Sequence, residues 1–175
     1  MEGVFGLPGP GFAGFGRGII FLMKLVSLLS ASRIVPEMKS ATQWEAMSEL
    51  VGHLVSNGHL DFGKTEGVLE ALHEREEQVS TGIGHGVAIP HAYCEHLTEV
   101  NAVFGHSLEG IEFESCDNAP VHFLILMLVP KNQSQMHLQT LAAIAGLFSK
   151  REVRDRLKDA KTGERIYEIL QDCEG

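Results

Sequence analysis

From residue 42 onward the chain switches between two hydrophobic periods. In "TQWEAMSELVGHLVSNG", Ala46, Met47, Leu50, Val51, Leu54 and Val55 recur at helical spacing, which predicts an amphipathic helix laying one face on a sheet. Thr42 and Glu45 form a capping-box pattern at its start, and Gly58 supplies a stop. A second helix is predicted over residues 64–77, with Val68, Leu69 and Leu72 facing inward and the charged run "HEREE" in its last turn. Acidic side chains there oppose the helix dipole, and a run of this kind reads as a solvated face.

Other segments are β-like. Short pieces are predicted at residues 87–89, at 101–107 ("NAVFGHS") and at 121–129 ("VHFLILMLV"). The last is apolar at every other position on both faces, the mark of a central strand. Ahead of the first helix, "LVSLLSASRIVPEMKS" reads as an apolar helical turn and then an extended segment over 34–38, where Pro36 argues for an edge strand. Helical spacing returns in "SQMHLQTLAAIAGLFSK", with Leu138, Leu141, Ala142, Ile144, Ala145 and Phe148 as the expected apolar stripe. Two short helices follow near 151–158 and 163–171. Strands bracketed by helices imply an α/β layered domain.

Composition narrows the functional classes. At 175 residues with 44% hydrophobic content, the chain is sized for one domain with a substantial core. Fourteen basic against 23 acidic residues give a formal charge of -9, the wrong sign for a nucleic-acid surface. Cys94, Cys116 and Cys173 are odd in number and show no CxxC spacing, which suits a reducing compartment. Residues 1–22 hold seven glycines and two prolines, a composition unable to offset its ordering entropy by packing. They are expected to be a disordered tail or a misassigned start, with translation beginning at Met23 and the folded domain spanning 23–175. Arg17 and "GIIFLMKLVSLLSAS" superficially resemble a secretory signal, but Lys24 interrupts the apolar run, so export is not expected.

The densest candidate chemistry lies in "STGIGHGVAIPHAYCEH", residues 80–96, with three histidines. Its glycines do not form GxGxxG, since Val87 takes the third glycine's place, and no GxxxxGK[ST] occurs, so a nucleotide cofactor is not expected. Glycines at alternate positions permit either a tight turn or a cluster of N–H groups for an anion. Pro90 fixes its own φ and pushes Ile89 into extended geometry, presenting His91 on a restricted backbone. An imidazole so presented can bind metal, act as a base or be a nucleophile. His85, His91 and His96 match neither HExxH nor a zinc-finger spacing, so no metal is expected. Cys94 lacks any sign of an oxyanion hole beside it.

"HEREEQVSTGIGHGVAIPHA" followed by "HLQTLAAIAGLFS" closely resembles the fructose/mannitol-type (type 2) enzyme IIA domain of the bacterial sugar phosphotransferase system, including its free-standing nitrogen-regulatory branch. The similarity covers about residues 23 to 172. It implies a single-domain layered sandwich, with a mixed β-sheet flanked by helices on both faces. It also implies that His91 accepts a phosphoryl group from the histidine phosphocarrier protein. Arg75, preceding the "ST" pair, would contact phosphate oxygens, and His137, opening the "HLQ" helix, would stabilise the phosphoryl group or orient His91. Ser80 and Thr81 would add supporting contacts, His85 would stand at the rim, and Asp117 would fix a turn. Many relatives carry Arg or Lys two positions after the phosphorylated histidine, where this chain has Tyr93.

The resemblance thus points to a cytoplasmic phosphocarrier. Its donor is the histidine phosphocarrier protein, and its acceptor is an enzyme IIB or a regulatory target such as a kinase or transporter. No nucleic acid and no membrane insertion are expected. Absence of a visible IIB, IIC or phosphocarrier segment favours the nitrogen-regulatory branch over a sugar-specific IIA subunit.

Overall fold

The computed structural model describes residues 24–175, so the glycine-rich segment 1–22 lies outside the described residues. Helix α1 (Gln43–Ser56) begins where the capping box predicts. The Thr42 hydroxyl accepts from the Glu45 N–H while the Glu45 carboxylate accepts from the Thr42 N–H. Past its C-cap Asn57 comes Gly58, whose φ of 70° suits a residue without Cβ. Helix α2 (Thr65–Gln78) buries Val68, Leu72 and also Glu76. The charged run is therefore not wholly solvated. Positions 68, 72 and 76 are four apart and share the inward face.

Six strands form one mixed sheet: β1 (Ile34–Val35), β2 (Gly82–Gly84), β3 (Val87–Ala88), β4 (His91–Cys94), β5 (Asn101–Ile111) and β6 (Val121–Pro130). The order is β1-β5-β6-β3-β2, with β4 also pairing β6. Strand β6 is central, as its two-sided apolarity predicts, and β1 takes an edge. Strands β1 and β5 run parallel, β5 and β6 antiparallel, and β3 and β4 both run parallel to β6. Strands β3 and β4 are successive pieces of one line along β6, broken at Ile89–Pro90. There the Ile89 N–H turns away to the Thr81 carbonyl at 3.1 Å, while the Pro90 carbonyl accepts from Met127 N–H at 2.9 Å. Strands β2 and β4 were not anticipated from the pattern, being short and glycine-rich or broken by proline.

Alternation along β6 divides the core. Phe123, Ile125, Met127 and Val129 join the apolar cluster of helices α3 (Ser134–Ser149), α4 (Arg151–Lys158) and α5 (Gly163–Glu174). Leu124, Leu126 and Leu128 join the cluster of α1 and α2 on the opposite face. Helices thus cover both faces of a mixed sheet, the expected α/β layering. The stripe of α3 is rotated from its predicted position. Leu138 is 64% exposed and Ala142 is exposed, while His137, Thr140, Ile144, Leu147 and Phe148 face inward. Two polar residues occupy the inner face at the start of α3, which an apolar count cannot detect.

Candidate functional site

Three elements converge on His91. The break at Pro90 sets this residue at the first position of β4, paired with Met127 of β6. Helix α2 brings Arg75 from its last turn, and the first turn of α3 brings His137. The His91 ring is 9% exposed and His137 is 2% exposed. Their centroids lie 4.9 Å apart with the planes tilted by 56°.

Hydrogen bonds assign the His91 tautomer. Its Nδ1 lies 2.9 Å from the Ile89 carbonyl, an acceptor, so Nδ1 carries the proton. The Arg75 Nε–H points at Nε2 over 3.2 Å, so Nε2 presents its lone pair. Arg75 is itself held by Nη1 donating to the Val79 carbonyl at 2.8 Å. Burial lowers the His91 imidazole below its ordinary range. The Ile89 bond and Glu76 act in the opposite sense, and Arg75 reinforces the lowering.

His137 is more strongly displaced. Burial, then the neighbouring His91 and Arg75, pushes its imidazole down to about 4. Both ring nitrogens are buried without a hydrogen-bond partner. A buried unpartnered polar group is unfavourable unless something arrives to bond it. Beside the Nε2 lone pair of His91 and a guanidinium, such a group can offer an N–H donor to an anion. Tyr93, in the position noted for its missing cation, stacks edge-on to His137 with centroids 5.4 Å apart and stays partly exposed.

The supporting residues fall differently. Thr81 directs its N–H and its hydroxyl to the buried Glu76 carboxylate, both at 2.7 Å, so its hydroxyl is committed away from His91. The Ser80 hydroxyl accepts from Gly82 N–H at 3.2 Å. His85 sits at φ 56° between Gly84 and Gly86, both also at positive φ, in the turn from β2 to β3. Its N–H donates to Asp117 at 2.8 Å, and its side chain lines a separate hollow of about 330 Å³ with His106 and His122. The glycines therefore serve a tight turn, and Asp117 holds that turn through His85, Ala119 and Ser115. A larger hollow, about 460 Å³, runs between α2 and β4 past Tyr93 and Cys94 and does not include His91. The pattern overlooked Glu76, although its spacing from Val68 and Leu72 carried the signal.

Among the described residues, no group of three or more His, Cys, Asp or Glu side chains is arranged to hold a metal ion. No helix among them is long and apolar enough to cross a membrane.

A histidine presented between an arginine and a second histidine on a mixed sheet is an arrangement suited to handling a phosphoryl-sized anion. Residues 27–173 match the model of the family described as "Phosphoenolpyruvate-dependent sugar phosphotransferase system, EIIA 2", and the chain belongs to that family. It is 30% identical over 153 residues to a nitrogen regulatory protein of Pseudomonas aeruginosa, covering 87% of this chain and 98% of that one. It is 33% identical over 134 residues to a fructose-specific EIIA component of Haloferax volcanii, covering 77% and 86%. A fructose-specific EIIABC component of Bacillus subtilis matches at 31% over 148 residues, covering 85% of this chain, which spans only 23% of that longer protein. The crystal structure of the nitrogen regulatory protein IIA-Ntr from Neisseria meningitidis superposes with a TM-score of 0.75 at 31% identity, covering 83% of this chain and 97% of that one.

Proposed function

We propose that the protein is a cytoplasmic phosphocarrier of the phosphoenolpyruvate-dependent phosphotransferase system, accepting a phosphoryl group at Nε2 of His91. The observation that carries this reading is the tautomer, with Nδ1–H tied to Ile89 and the Nε2 lone pair facing Arg75 beside His137. The donor is a phosphohistidine of the histidine phosphocarrier protein. Its P–N bond breaks, and the electron pair returns to the donor imidazole. The His91 Nε2 pair forms the new N–P bond, while the proton stays on Nδ1, hydrogen-bonded to the Ile89 carbonyl. Arg75 leaves the lone pair and turns its planar donors to the phosphoryl oxygens, and His137 supplies an N–H to them.

Regulation is the role best supported, since the alignment with the Pseudomonas nitrogen regulatory protein runs over 98% of its length. Phosphorylation of His91 would then switch binding to a kinase or transporter. The second reading, a sugar-specific IIA passing the group to an enzyme IIB, draws on the 33% identity to the Haloferax fructose-specific component.

Incubation with enzyme I, the phosphocarrier protein and labelled phosphoenolpyruvate is the test. Acid-labile label on the wild type and none on His91→Ala is the expected result; equal labelling of both overturns the assignment. Surrender of the label to an added IIB domain would select the sugar-transport reading.

A further inference from the structure

Glu76 is a carboxylate 5% exposed, next in sequence to Arg75 and on the inward face of α2. Its two oxygens accept from one residue, Oε1 from the Thr81 N–H and Oε2 from the Thr81 hydroxyl, each at 2.7 Å. The Thr81 carbonyl accepts the Ile89 N–H at 3.1 Å, and the Ile89 carbonyl accepts the His91 Nδ1–H at 2.9 Å. Four residues are thus linked in a line that starts at a buried negative charge and stops at the ring.

We propose that Glu76 is a positioning residue of the site: through Thr81 and Ile89 it holds His91 with the proton on Nδ1, and its charge favours the cationic ring that forms when Nε2 becomes phosphorylated. The inference rests on the phosphocarrier reading of His91. The carboxylate never reaches the phosphoryl group. Its hydrogen-bonded line ends at Nδ1, whereas Arg75 meets Nε2. A neutral imidazole with Nδ1–H that gains a phosphoryl group on Nε2 keeps that proton and carries positive charge in the ring. A buried anion linked to the Nδ1 end stabilises that product more than the reactant. The charged and titratable groups around the ring are then Arg75, Glu76 and His137, and Glu76 is the one anion among them. A purely structural role would need the hydrogen bonds but not the charge.

Glu76→Gln separates these roles, because the amide preserves size and can still accept the Thr81 N–H. Imidazole ¹⁵N spectra of the labelled full chain read the His91 tautomer and titration midpoint, and labelled transfer from the phosphocarrier protein reads the rate. The expected result is a His91 midpoint lower by about half a unit or more and phosphoryl uptake about tenfold slower. An unchanged midpoint, tautomer and rate in Glu76→Gln overturns the proposal. Should wild type take no label while Glu76→Gln still displaces the His91 midpoint, the phosphocarrier reading fails and the hold of Glu76 on His91 stands. If circular dichroism finds Glu76→Gln unfolded, Thr81→Val decides, since it keeps the charge and removes only the hydroxyl link. Uptake slowed about threefold and a mixed His91 tautomer are expected from it, and wild-type values in both would sink the linkage.

Discussion

His91 and His137 face each other with ring centroids 4.9 Å apart, yet only His91 has hydrogen-bond partners for its ring, Ile89 on one nitrogen and Arg75 on the other. His137 is buried with both nitrogens unpartnered. The pair is therefore asymmetric: one ring is fixed in a tautomer, and the other is kept neutral and waiting for an acceptor.

That asymmetry sets an acid dependence of stability. An imidazole titrates near 6.5 in the unfolded chain and His137 near 4 in the fold. Between those values the unfolded chain binds a proton that the folded chain refuses. The contribution is fully present above pH 6.5 and is lost as pH falls toward 4, amounting to about 3 kcal/mol at most. His91, also lowered by burial, adds in the same direction. Urea denaturation at pH 7, 5.5 and 4 should show this fall in the wild type and a shallower one in His137→Gln. Equal slopes for the two proteins would refute the assignment.

Arg75 makes two different contacts, Nε to the His91 ring and Nη1 to the Val79 carbonyl. Arg75→Ala should slow phosphoryl uptake about a hundredfold, with Arg75→Lys restoring little because an ammonium cannot span both directions. The same substitution should raise the His91 titration midpoint, since the guanidinium is one of the causes holding it down. NMR titration checks this second effect without any transfer assay.

Gly105, on β5, is a packing prediction away from the site. A Cβ there would stand 2.3 Å from the Met38 sulfur and 2.9 Å from a Leu50 methyl of α1. Gly105→Ala should destabilise the fold by about 1–3 kcal/mol through overpacking, read from the denaturation midpoint. A variant as stable as the wild type would mean that Met38 swings clear at no cost.

Elements with local cues were readable along the chain. The capping box and period of α1 and the two-sided apolarity of β6 are patterns of neighbours, and both appear where expected. The α3 stripe was misplaced because two polar residues, His137 and Thr140, face inward where an apolar count expects core positions. Strand β4 escaped notice because Pro90 interrupts the line that its hydrogen bonds to β6 continue. Glu76 looked solvated because its charge outweighed its helical position, and only the approach of Thr81 makes its burial tolerable.

By itself the sequence determined the α/β order of elements, the acidic character of the surface and the restricted presentation of His91 after Pro90. Those follow from periodicity, composition and the covalent geometry of proline, all properties of adjacent residues. Only the tertiary structure decided which His91 nitrogen carries the proton, how far His137 is displaced from ordinary titration and where the Thr81 hydroxyl is directed. Each of these depends on partners from different elements meeting in a site nearly closed to water, where hydrogen bonds and desolvation select among states that the free side chains would populate together.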